Sequence, residues 1–220
     1  HITVEDINKG IVVVDSDGNE FVWVPIPDAS EFKRIAYGYE NLEETSTLGA
    51  YWEDASNTEY TQMVKSVTTN KGFYVARYEA SKNSDSTKAQ SKRNVIVWTR
   101  IPQTEAITKS ANYNTTLHSH LIYGIEWDNI LNWLKGNATI SSSTSGETKT
   151  MDIDDIRTNS CSWGNFSNST GDASTNSGGS SPQSSGKSEY WKANNIYDLA
   201  GNVIEWTQEK YTINTESTAC

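Results

Sequence analysis

The residues best suited to chemistry lie between Asn194 and Trp206. Asp198 and Glu205 flank Gly201-Asn202, a turn pair because both residues tolerate positive φ. With main-chain carbonyls around Gly201 and Val203, the two carboxylates make a set of hard oxygen donors of the kind Ca2+ prefers. The same spacing also describes a strand, a tight turn and a second strand with two solvated acids. Local chemistry leaves both readings open.

Other polar groups point less clearly to a site. His118 and His120 would face the same way on an extended backbone, as a transition-metal pair requires, but no third ligand is evident and structural roles fit better. Asp15, Asp17 and Asn19 have the spacing that opens a Ca2+ loop. No Glu follows at the required place, so an ordinary hairpin turn is expected. Asp152, Asp154 and Asp155 could bind a cation, but a solvated charged turn fits better. Arg77 and Glu79 fit an internal Arg-carboxylate arrangement that fixes loops, with lining of a binding site as the alternative. Trp163 and Phe166, among Asn and Ser, have the composition of a sugar- or peptide-contacting surface, or of aromatics that pin a loop to the core.

Several elements are expected to position these groups. Gly10 to Pro25 reads as a β-hairpin: a β-branched run from Ile11 to Val14, turn chemistry from Asp15 to Asn19, and a return through Phe21-Val22-Trp23. Ser56 to Asn70 has capping-box spacing and apolar residues Tyr60, Met63, Val64 and Val67 at helical intervals. Gly72 to Glu79 alternates as a strand. Ser81 to Lys92 is expected to be a flexible surface loop, Asn94 to Thr99 a short strand, and Pro102 the first residue of a helix reaching Ala111. A second strong helix is expected from Ile125 to Lys135, ended by Gly136. From Asn137 to Lys187 the composition turns to Ser, Thr, Gly and Asn, as in a long loop with two apolar islands.

The chain has 220 residues, suited to one domain over 1–220 with residues 137–187 as an insertion loop. Apolar residues make up only 35%, a deficit that eight Trp and eleven Tyr offset through their large buried areas. A net charge of -10 argues against nucleic acid and anionic membrane surfaces as partners. No apolar run is long enough to cross a bilayer. Cys161 and Cys220 could form one bridge or remain free thiols. The start at His1 without Met leads us to expect a processed or excised part of a longer protein.

Tyr197-Asp198-Leu199-Ala200-Gly201-Asn202-Val203-Ile204-Glu205-Trp206-Thr207 resembles the Y-(N/D)-(M/L)-x-G-N-V-W-E-W signature of the formylglycine-generating enzyme, or sulfatase-modifying-factor, family. Gly72 to Glu79 (GFYVARYE) is similar to that family's GFYIGRYEV segment, and Leu121 to Trp127 (LIYGIEW) to its LPTEAEW segment. The resemblance implies an α+β, C-type-lectin-like fold of short antiparallel strands, two main helices and long loops. It implies structural Ca2+ at Asp198, Gly201, Val203 and Glu205. Ile204 departs from the family's usual Trp.

In the enzyme branch a copper-binding cysteine pair downstream of the signature converts a substrate cysteine to formylglycine, and neither Cys161 nor Cys220 matches that position. The non-catalytic branch includes bacterial surface, phage tail and pilin-like proteins. The expectation is therefore an extracellular or cell-surface binding module, with a protein or glycan ligand and Trp163 and Phe166 as weak contact candidates. A self-assembling filament or tail subunit is the first alternative, and the copper oxidase the second.

Overall fold

Asp15 organises the first hairpin. Its Oδ1 accepts the amides of Asp17 (2.9 Å) and Asn19 (2.8 Å), and its Oδ2 accepts the Asn19 side-chain amide (2.8 Å). Strand β1 (Val12–Val14) thereby turns into β2 (Glu20–Pro25), and β2 pairs onward with β3 (Gly72–Ala76). Pairing within this sheet is antiparallel, with Val12 opposite Val22 and Val24 opposite Phe73. The computed structural model of the protein describes residues 3–35, 57–136, 138–141, 148–150, 164–166 and 181–209.

The period of two along β2 decides which face is buried. Val22 and Val24 are fully enclosed, whereas Trp23 leans edge-on against the exposed Tyr74, centroids 4.9 Å apart. Two helices cover the inner face. Helix α2 (Thr58–Asn70) buries Tyr60, Met63 and Val67, and α4 (Gly124–Leu134) buries Ile125, Ile130, Trp133 and Leu134. Full burial of side chains of this size contributes roughly 1.5–3 kcal/mol each. Gly10, at φ +83°, lies under this layer: a Cβ there would come within 2.6 Å of Val22 and 2.9 Å of Trp133. The fold is α+β, with short antiparallel strands, and no described helix is long and apolar enough to cross a membrane.

Local chemistry shifts several expected boundaries. The N-cap of α2 is Asn57, whose side chain accepts from the amides of Glu59 and Tyr60, and Lys71 in the left-handed region ends the helix. A short α1 (Val4–Asn8) was not foreseen, although Thr3 and Asp6 cap it reciprocally. Pro102 is the N-cap of α3 (Gln103–Ala111) rather than its first residue. The expected loop after Ser81 is instead a small hairpin of β4 (Ser81–Lys82) and β5 (Ala89–Gln90), its turn held by Asp85. The expected strand at 94–99 makes only isolated bridges, Val97 with Ser81 and Ile96 with Ser184.

Within the Ser/Gly-rich stretch, β6 (Thr139–Ser141) and β7 (Thr148–Thr150) form another hairpin. Asp152, Asp154, Asp155, Trp163 and both cysteines lie outside the described residues. The last pair is β8 (Lys192–Ala193) with β9 (Ile196–Tyr197). It is stitched to the amino-terminal segment, since the Asn194 side chain donates to Asn8 O (3.1 Å) and that of Asn195 to Gly10 O (2.7 Å).

Candidate functional site

The 194–206 stretch is half strand and half irregular. Tyr197 ends β9 and is sealed in the interior, stacked on Tyr78 with centroids 5.1 Å apart. Arg77 and Arg93 each lie 5.4 Å from the Tyr197 ring centre, and its hydroxyl donates to Glu189 (2.8 Å). Arg77 also pairs with Glu20 (2.5 Å) and donates to Asn195 O (3.1 Å). The sequence left Arg77 with Glu79 as an internal arrangement or a binding-site lining. The structure gives each an internal partner, and a different one.

Beyond Tyr197 the chain turns through Asp198, Gly201 and Asn202, all at positive φ (+56°, +78° and +58°). Asn202 is the hub of this corner. Its Oδ1 accepts from Gln183 N (2.8 Å) and the Asn165 side chain (3.1 Å), while its own amide donates to Asn165 O (3.0 Å). Its Nδ2 donates to Gln183 O (3.3 Å) and, in a very short contact, to Glu79. Asn165 forms a parallel bridge with Gly201, and at Gly164 a Cβ would come within 1.9 Å of Ala200 O. Phe166 packs beside this junction, against the core.

Asp198 points inward. Only 1% exposed, it accepts at Oδ2 from Ser185 Oγ and Gly186 N, both 2.7 Å. Ser185 in turn accepts from Glu79 N (2.9 Å) and donates its own amide to Val95 O (3.1 Å). One serine therefore ties the signature to Glu79, just beyond the end of β3, and to the 94–99 segment.

Three carboxylates share this region. Burial first, then the charges of Asp198 and Glu205, push Glu79 up to about 9, against opposing bonds from Asn202 and Val203 N. Burial also raises Asp198, with the bonds from Gly186 and Ser185 opposing it. Glu205 belongs to an exposed run, yet the protein around its carboxyl, followed by the Asp198 charge, pushes it up to about 8. Glu79 Oε1 and Asp198 Oδ1 are buried without hydrogen-bond partners. Such oxygens call for a proton or a cation.

No family model, curated protein or solved structure matches this chain.

In donor type the residues fit Ca2+: hard carboxylate oxygens, two of them, Glu79 Oε1 and Asp198 Oδ1, buried and unsatisfied. Among the described residues no three His, Cys, Asp or Glu side chains converge on one point. Any such ion would therefore depend on main-chain oxygens as well as on Asp198 and Glu205. Of the four residues expected at the ion, Asp198 is interior, Gly201 and Val203 are half-buried and Glu205 is exposed. The expected second strand is absent: Val203 to Trp206 are irregular, with Ile204 95% exposed.

Glu79, Ser185 and Asn202 carry the site; the sequence marked Glu79 as a possible binding-site lining and Asn202 as half of the turn pair, and gave Ser185 no role. The His118–His120 pair is not brought together as ligands. His120 Nε2 lies 2.9 Å from Glu126, and its Nδ1 2.9 Å from His118 O.

Proposed function

We propose that this chain is a recognition domain of C-type-lectin-like architecture, displayed outside the cell or on its surface, which holds a protein or glycan ligand without transforming it. The observation that carries this reading is the use made of the signature residues. Tyr197 and Asp198 are sealed inside, and Asn202 is committed to Glu79, Gln183 and Asn165. The motif acts as a joint that fixes neighbouring polar segments on a rigid frame, an arrangement suited to recognition. The test is incubation of the full chain with copper and a cysteine peptide of the sulfatase type. No aldehyde is expected; steady conversion refutes the reading.

In the same reading Ca2+ would be held by side-chain oxygens of Asp198 and Glu205 and carbonyl oxygens of Gly201 and Val203, with Glu79 behind them. The ion would supply the positive charge that the buried carboxylates lack. A Ca2+-dependent rise in Tm, abolished in Glu205→Ala, is expected. Identical melting curves with calcium and with chelator would exclude the ion.

Self-assembly is the second reading, favoured by the edge of β1, which pairs only with β2 among the described residues and where Val14 is 63% exposed, and by Tyr74, 54% exposed on the neighbouring outer face. Sedimentation across a concentration series separates the two. A monomer at all concentrations removes the filament reading.

A further inference from the structure

The chain carries a net charge of -10, yet one surface depression reverses that sign. It is open, about 720 Å³ in volume, and lies between the β4–β5 hairpin and the start of α3. Lys82, Ser86, Trp98, Thr99, Arg100 and Glu105 line it. Lys82 Nζ is 5.2 Å and Lys109 Nζ 5.8 Å from the Trp98 ring centre. Glu105 is the one acid among the lining residues.

The cations differ in how they are held. Lys109 is tied down, donating to Ser86 O (2.7 Å) and lying 3.9 Å from Glu105. Among the described residues, Lys82 has only the Trp98 ring as a partner, and Arg100 has neither a carboxylate nor an aromatic partner. Arg100 also holds φ +58°, a conformation costly for a side chain of this kind. The floor is firmly built: Trp98 N donates to Ala80 O (2.8 Å), and Val97 bridges Ser81. A fixed indole beside two uncommitted cations and two hydroxyls, Ser86 and Thr99, matches what an acidic sugar presents: an apolar ring face, hydroxyls and a negative group.

We propose that this depression is a subsite for a negatively charged saccharide, a uronate or sulfated residue. Its acidic group is taken by Lys82 and Arg100, and its ring lies beside Trp98. The inference rests on the recognition reading and names the ligand class. A phosphopeptide or acidic peptide would satisfy the two cations but would leave the indole and hydroxyls without a purpose.

The test is titration of the full chain with an oligogalacturonate (carboxylate), a heparin hexasaccharide (sulfate), maltohexaose (neutral) and a poly-glutamate peptide. Saturable binding of at least one acidic sugar is expected, weakening with salt. Lys82→Gln and Arg100→Gln, both at exposed positions, should each cost at least fivefold in affinity, while Glu105→Gln should tighten binding by removing a like charge. Which acidic sugar binds identifies the anion. Equal affinity for maltohexaose or poly-glutamate, or affinities unmoved by the three substitutions, overturns the proposal. If a glycan array or pull-down yields a neutral or protein ligand and no acidic sugar, the subsite is refuted and the recognition reading stands. If nothing at all binds, both fall.

Discussion

Replacing Asn202 tests how the signature corner is held. The side chain makes two bonds through Oδ1, to Gln183 N and Asn165, and two through Nδ2, to Glu79 and, more weakly at 3.3 Å, to Gln183 O. Three good bonds at about 1 kcal/mol each put the loss near 3 kcal/mol for Asn202→Gly, which keeps the backbone unstrained at φ +58°. Asn202→Ala loses the same bonds and adds roughly 1 kcal/mol of backbone strain, because Asn, unlike Ala, tolerates the left-handed region, about 4 kcal/mol in all. Against a typical domain stability of about 5–15 kcal/mol either change is large. Urea unfolding provides the assay: both midpoints should fall at nearly constant slope, with alanine below glycine. A glycine variant within about 0.5 kcal/mol of the parent would refute the hub. Equal midpoints for the two variants would refute the backbone argument.

Other perturbations have equally definite outcomes. Burial pulls His120 down, but the charge and hydrogen bond of Glu126 outweigh it and raise the imidazole from 6.5 to about 9. Its stabilisation is therefore whole below pH 6.5 and lost as pH rises through 9, at most about 3 kcal/mol. His120→Gln should flatten Tm against pH in that window, and an unchanged slope would exclude the ion pair. Glu79 binds its proton more tightly folded than unfolded, so stability should fall as pH climbs from about 4.5 to about 9. Glu79→Gln should remove that decline in a denaturation series. Gly164→Ala drives a methyl against Ala200 O and should cost about 1–3 kcal/mol, read as a drop in Tm.

Periodicity made the core legible and left the site largely hidden. Tyr60, Met63 and Val67 on α2, the alternation at Val22 and Val24, and the apolar stripe of α4 are patterns a single element writes by itself. Asp198 and Gly201-Asn202 could be recognised as a polar turn for the same reason. Ser185 could not, and Glu79 only as a possible lining beside Arg77, because their contacts exist only where the chain after β3, the 181–186 segment and Asp198 meet. The β4–β5 hairpin was missed because Asn83, Asp85 and Thr87 spell a turn but the strands beside it are two residues long, too short to show a period. The irregular course after Val203 follows from the far partners of that tail. Trp206 donates to Ile101 O and Gln208 to Ile122 O, so helix starts far back in the chain hold it.

The stitching of Asn194 and Asn195 to Asn8 and Gly10 has a consequence for how the protein is made. The first hairpin is synthesised well before the residues that lock it, which lie 185 and 186 residues further along the chain. Until Ala193, Ile196 and Ala200 are made, the growing chain carries Val22, Val24 and Phe73 with part of their core missing. High contact order of this kind makes folding slow and largely post-translational, so a chain cut before Asn194 should aggregate rather than wait as a stable half.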